Sequence, residues 1–146
     1  MKDIVRILQQ IAEGKNLTYY YGKKAALNLL EGSLEADTTY LLHEFTNRKS
    51  EYNRSGTKII AANYEGKFFL VKQSDLTQGY FDPAEDSASK YSDNIEPLLA
   101  IFNNIGNALS CMDFTVDQWD NIDVTDALDA NMDGLLCSYK IRVPNE

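Results

Sequence analysis

Ile4, Ile7, Leu8 and Ile11 recur at the spacing of one helical face, and Gly14 marks the end of that helix. In the following "NLTYYYGKKAALNLLEG", Tyr19 to Tyr21 suit an extended or loop segment, whereas Ala25 to Leu30 suit a short helical turn. "TTYLLHEFT", "TKIIAANY" and "KFFLVKQ" are short runs of β-branched, aromatic and aliphatic residues. They predict three strands, with "YEGK" as a hairpin turn between the last two. "SDLTQGYFDPAEDSASK" has no periodicity and predicts a long, mobile surface loop. In "YSDNIEPLLAIFNNIGNALS" the residues Ile95, Leu98, Leu99, Phe102, Ile105 and Leu109 make a broad apolar stripe, the strongest helix signal in the chain. Asp93 or Asn94 can cap it, and Pro97 then falls in the first turn, where a missing N–H costs least.

Two further strands follow. Met112, Phe114 and Val116 alternate with Asp113, Thr115 and Asp117, as in a strand with one wet face. Leu135, Cys137, Tyr139, Ile141 and Val143 repeat at period two. The order of elements predicts an α+β fold, an antiparallel sheet of about five strands with an N-terminal helix and one long helix packed on it. Each helix buries one stripe against one sheet face, so the other face is expected to be polar or used for assembly. With 44% hydrophobic residues among 146 and no dividing linker, residues 1–146 are expected to share one domain.

Charge narrows the function. A formal net charge of -8 and a pI near 4.6 argue against a basic footprint for nucleic acid or an anionic membrane. The first residues interleave Asp3, Arg6, Gln9 and Gln10 with the apolar ones, unlike a secretion signal, and no stretch has the length of a membrane span. Cys111 and Cys137 are therefore expected as buried thiols in a reducing compartment. With His43 as the single histidine and no paired-cysteine motif, neither a histidine-based metal site nor a cofactor is expected.

Candidate chemistry is sparse. "DANMDG", Asp129 to Gly134, matches the first half of an EF-hand calcium loop. The twelfth position, where a bidentate glutamate belongs, is Lys140, and the following residues have strand periodicity, so the segment is read as an Asx-rich turn whose glycine launches a strand. The run Asp113, Asp117, Asp120, Asp123, Asp126, Asp129 and Asp133 is read as a solvated acidic edge, since it lacks a complete ligand pattern. His43, flanked by apolar residues and without a serine elbow, is expected as a packed or edge-strand residue. Cys137, in apolar phase, is expected as a small core residue. No nucleophile is expected, and the chain is taken as non-enzymatic. The tyrosines at 19, 20 and 21 are candidates for a protein contact, because tyrosine buries area while keeping a polar tip.

"YSDNIEPLLAIFNNIGNAL", "DVTDALDANMDGLLCSYKIRV" and "YYYGKKAALNLLEG" together resemble the small tail-terminator, tail-completion and neck (head-tail connector) proteins of tailed bacteriophages. The resemblance implies a virion subunit, made in the cytoplasm of a bacterial host, that forms a homomeric ring ending the tail tube or joining tail to head. Its partners would be itself and other tail or neck proteins, without sequence-specific nucleic-acid binding and without a membrane. Tyr19, Tyr20, Tyr21, Tyr80 and Phe81 would contact neighbouring subunits. Asp117, Asp120, Asp123 and Asp126 would line a lumen through which DNA passes without sticking. The competing expectation is a monomeric small-ligand binding or accessory domain whose aromatic residues line a pocket.

Overall fold

A computed structural model describes residues 3–23, 37–73, 89–127 and 132–145, with only the backbone at 125–127. Helix α1 (Ile4–Gly14) starts at Asp3, whose carboxylate accepts the Val5 N–H at 3.2 Å, and buries Ile4, Ile7, Leu8, Ile11 and Ala12. The left-handed residue beyond its end is Asn16, with φ of 60°, rather than Gly14. Strands β1 (Thr18–Tyr21), β2 (Tyr40–His43), β3 (Asn47–Tyr52) and β4 (Ile59–Gln73) follow, then helix α2 (Glu96–Cys111) and strands β5 (Thr115–Ala127) and β6 (Met132–Pro144).

The fold is α+β, with an N-terminal helix, one long helix and a six-stranded, mostly antiparallel sheet. The strand order is β1-β2-β4-β6-β5, and β3 also pairs with β4. β1 is the parallel exception, running Thr18 beside Tyr40 through Tyr21 beside His43. β2 pairs with the second half of β4, from Phe68 to Val71, and β3 with the first half, from Ile59 to Glu65. β2 and β3 thus follow one another along the same side of β4. β1 covers only the β2 part.

Two expectations about the strands are corrected. "TKIIAANY" and "KFFLVKQ" form one strand of 15 residues, and "YEGK" runs straight through its middle, paired with β6 from Tyr64 opposite Ile141 to Lys67 opposite Ser138. Gly66 lies there because the Tyr139 ring crosses over it; a Cβ would come within 2.7 Å of the Tyr139 hydroxyl. The hairpin turn is instead at 53–58, where the Asn53 side chain accepts the Thr57 N–H at 2.9 Å and Gly56 takes φ of 71°. Met132, Asp133 and Gly134 belong to β6 rather than to the acidic turn. Gly134 allows β4 to come close, since a Cβ would sit 2.1 Å from the Leu70 carbonyl oxygen. Asp129 to Asn131 lie outside the described residues, as do Ala25 to Leu30 and 74–88 of the expected loop.

The long helix also begins earlier than expected. Ser89 and Lys90, assigned by sequence to the loop, lead into a π-helical turn over Tyr91–Ile95, and the Ser89 hydroxyl accepts the Ser92 N–H at 3.1 Å. Asp93 and Asn94 lie inside that turn rather than capping the helix. Pro97 sits in the first turn of α2, as its missing N–H demands. Behind the turn, Lys90 reaches Asp133 at 3.5 Å in a buried ion pair that ties the start of the helix to β6.

Both helices pack on one sheet face, where Leu41, Phe68, Leu70, Leu135, Cys137 and Ile141 meet α1 and α2 in the main core. Trp119 of β5 lies flat on Phe102 of α2, with ring centroids 4.9 Å apart and its N–H donated to the Phe102 carbonyl at 3.1 Å. Gly106 leaves the room that the indole occupies. The opposite face is divided: at one end Tyr40, Leu42, Phe69, Val71 and Met132 form a second buried cluster, and at the other end the side chains are polar. Cys137 is buried as expected, and burial pushes its thiol pKa up. Cys111 is exposed, against expectation, because it occupies the solvent side of the last turn of α2.

Candidate functional site

The chemistry closest to a site is a chain of hydrogen bonds between β1, β2 and β6. His43 is the last residue of β2 and is fully buried. Its Nδ1 is 2.6 Å from the Tyr19 hydroxyl, and its Nε2 is 2.6 Å from the Tyr139 hydroxyl. Tyr139 donates to Thr46 Oγ1 at 2.9 Å, and Thr46 donates to the Glu65 carbonyl at 3.2 Å. Because the Tyr139 proton is committed to Thr46, Tyr139 must accept from His43. The ring is then the neutral Nε2–H tautomer, with Nδ1 accepting from Tyr19.

The electrostatics agree. Burial lowers the His43 pKa to about 4, aided by the Arg48 charge and opposed by Asp3. Burial first, and the neighbouring phenols after it, raise the pKa of Tyr19. Burial likewise dominates the upward shift of Tyr139, against the bond to Thr46. None of these groups is poised to exchange a proton near neutrality. The chain holds three strands and the β2–β3 link together as a fully paired polar network.

Around it lies a half-exposed aromatic and charged rim. Arg48 of β3 makes two bonds to the Asp3 carboxylate, at 2.7 and 2.8 Å, and so clamps the start of α1 to the sheet. That clamp holds the Asp3 carboxyl below the usual carboxylate range. Tyr21 packs edge-on to His43 and lies 5.4 Å from Phe45, which is 56% exposed. Lys23 stands 5.9 Å over the Phe45 ring.

No known protein-family model matches the chain, and no curated protein matches it. The site therefore stands on its own residues.

The tyrosines expected at a contact are divided by the pleat of β1. Tyr19 and Tyr21 point to the helix-bearing face with His43, whereas Tyr20 stacks on Tyr40, 6.3 Å away, on the opposite face. All three are partly buried. Tyr80 and Phe81 lie outside the described residues.

The acids expected along a lumen are divided too. β5 is an edge strand, paired only with β6 among the described residues. A bulge between Val116 and Gln118 turns Asp117 towards Lys140, beside which it lines a depression of about 120 Å³. Asp120, opposite Ser138, lies on the same helix-free face, while Asp123, opposite Leu135, lies on the other. The side chain of Asp126 is outside the described part. Nearby, Arg142 bonds Glu51 at 2.9 Å and Lys140 is 3.8 Å from Glu65, so this polar face mixes both signs.

The sequence did not mark Thr46, Arg48 or the polar strand β3, and it placed His43 as a packed or edge-strand residue without its partners. Nothing local announces the network: its bonds link residues 24, 96 and 93 positions apart.

Proposed function

We propose that this chain is a non-enzymatic assembly subunit that closes into a homomeric ring, of the kind that ends the tail tube or joins tail to head in a tailed bacteriophage. One observation carries the reading: the sheet has an exposed edge strand at each margin, β3 with five of its six residues exposed and β5 with Asp117 and Asp120 to Asp123 exposed. Long uncapped edges are a liability in a monomer and an asset in an assembly. Two different edges on one subunit favour head-to-tail contacts, which close into rings when the rotation divides a full turn.

The buried groups support the non-enzymatic part. The single histidine is sealed in the core as a neutral ring with both nitrogens bonded, and Cys137 is held as a thiol. The depression beside Asp117 holds about 120 Å³. Two larger hollows, about 470 Å³ along Arg6, Gln9, Gln10 and Glu13 and about 460 Å³ beside Gly106 and Trp119, lie open on the surface rather than enclosed as ligand clefts are. The phage setting rests on the resemblance of the quoted segments.

The test is the mass of the purified protein across a wide concentration range, by light scattering after size exclusion, with electron microscopy of large species. A closed ring of fixed mass is the expected result. A monomer at every concentration that gains thermal stability with a small ligand would overturn the proposal in favour of a binding domain.

A further inference from the structure

Resting on that reading, we infer that the subunit contact is a strand-to-strand join in which β3 of one copy pairs antiparallel with β5 of the next, with Lys49 set opposite Asp120. The two edges carry opposite charge. From Asn47 to Lys58, β3 and its turn hold Arg48, Lys49, Arg54 and Lys58 against the single acid Glu51. From Thr115 to Ala127, β5 holds Asp117, Asp120, Asp123 and Asp126 and no basic residue. An acidic edge repels a second copy of itself, so a β5-to-β5 contact is disfavoured and the basic margin is the matching surface.

Strand direction fits as well. Across the sheet β3, β4, β6 and β5 alternate in direction, each pair antiparallel. A neighbour carried round a ring axis inclined to the strands keeps that alternation: its β3 runs opposite to the β5 it meets. The inclination supplies the four-residue stagger between Thr115, which lies level with Lys49 in one sheet, and Asp120. One antiparallel pattern then continues from subunit to subunit. Among the described residues β3 is open to such a neighbour, because β1 pairs with β2 and not with β3.

Facing side chains fix the register. Asn47, Lys49 and Glu51 share the helix-free face of β3, and Gln118, Asp120 and Ile122 share that face of β5. Setting Lys49 opposite Asp120 puts Glu51 opposite the neutral Gln118. It also puts Asn47 opposite Ile122, which is 65% exposed. A shift by two residues towards Ile122 would set Glu51 against Asp120 instead, two like charges face to face. On the helix side, the same register leaves Arg48 diagonal to Asp123.

Cross-linking tests the register. Within one subunit two strands intervene between β3 and β5 and Asp120 lies four ladder steps beyond the level of Lys49, so the two are about 20 Å apart, too far for a disulfide. In a Cys111→Ser background, a chain carrying both Lys49→Cys and Asp120→Cys is expected to give a ladder of disulfide-linked multimers under mild oxidation. Each single cysteine variant should give none. Charge reversal tests the complementarity: Asp120→Lys should weaken self-association at least ~10-fold, and adding Lys49→Glu in the same chain should restore it. Amides 47–52 and 117–123 should exchange more slowly in the assembled wild type than at dilution.

The outcomes separate the two claims. If the wild type assembles but the double-cysteine variant gives no ladder, charge reversal has no effect and the edges stay unprotected, this contact is overturned while ring formation stands. If the wild type is monomeric at every concentration, both fall.

Discussion

Stability should weaken between pH 6.5 and pH 4 through one side chain, His43. In the unfolded chain its imidazole takes a proton near pH 6.5; in the fold, burial and the Arg48 charge hold the pKa at about 4. Protonation would place a charge in the core and force Tyr19, which now donates to Nδ1, to turn and accept. Because the folded pKa is the lower of the two, this neutral-ring contribution is full above pH 6.5. It is lost as the unfolded state gains the proton, and levels off below pH 4. A gap of roughly 2.5 pH units at about 1.4 kcal/mol each gives about 3 to 4 kcal/mol as the upper bound of the loss.

The assay is clean because the chain has a single histidine. Its ring carbon gives one NMR signal to follow with pH, and the ring nitrogen shifts report the tautomer. The expected result is a neutral Nε2–H ring from pH 8 to about 5, together with urea unfolding free energies that fall between about pH 6.5 and 4. A His43→Gln variant should lose the slope between pH 6.5 and 4.5 even if it starts from lower stability. A ring signal titrating with a midpoint between 6 and 7, or an unchanged slope in the variant, would refute the hydrogen-bonded neutral histidine.

Three further outcomes test packing. Gly134→Ala would drive a Cβ to 2.1 Å from the Leu70 carbonyl, backbone that cannot swing aside. The expected cost exceeds the ~1–3 kcal/mol of ordinary overpacking and is measured by urea unfolding; a loss under ~1 kcal/mol would contradict the close β4–β6 approach. Gly106→Ala meets the Trp119 indole at 2.7 Å, so the single tryptophan should leave Phe102 and its emission move to the red, and an unshifted spectrum would count against the stack. Arg48→Ala removes the clamp on Asp3, and since that pair is part-exposed the loss should be only ~0.2–1 kcal/mol, smaller at high salt. With the clamp gone, the stability that the ionised Asp3 carboxylate contributes above its usual pKa, lost as pH falls through the depressed folded value, should shrink.

The helices and the last strand were legible because their burial follows their period, whereas the alternation from Met112 to Asp117 misplaced β5, which starts only at Thr115 after an exposed Met112 and a left-handed Asp113. Ile4, Ile7, Leu8 and Ile11 all face the core, and so do Leu135, Cys137, Tyr139, Ile141 and Val143. β3 was illegible since "NRKSEY" has no apolar phase at all; it is a strand because β4 offers it a ladder. The glycine in "YEGK" misled because a glycine that frees space for a ring looks the same in sequence as one that turns a chain. The better turn signal was "NRSG", where an asparagine and a glycine work together. The parallel β1 and the histidine network could not be read, since both depend on contacts between distant segments. The acidic run was legible as charge; the pleat and the bulge that divide it between two faces were not.

The network and the open edge are connected through the bend after His43. The Tyr139 hydroxyl reaches both the histidine that ends β2 and Thr46 in the link to β3, and Thr46 in turn holds the Glu65 carbonyl. These bonds fix where the chain passes from β2, which β1 covers, to β3, which it leaves bare. Tyr19 anchors β1 to the same histidine, which keeps β1 in register with β2 alone. A longer or shifted β1 would pair with β3 and close the margin. A buried histidine bonded on both sides is the arrangement that first invites a catalytic reading, yet here each of its partners lies on a strand whose position decides which backbone stays exposed. On the assembly reading, the residue that looks most like chemistry acts by determining which edge is left for a neighbour.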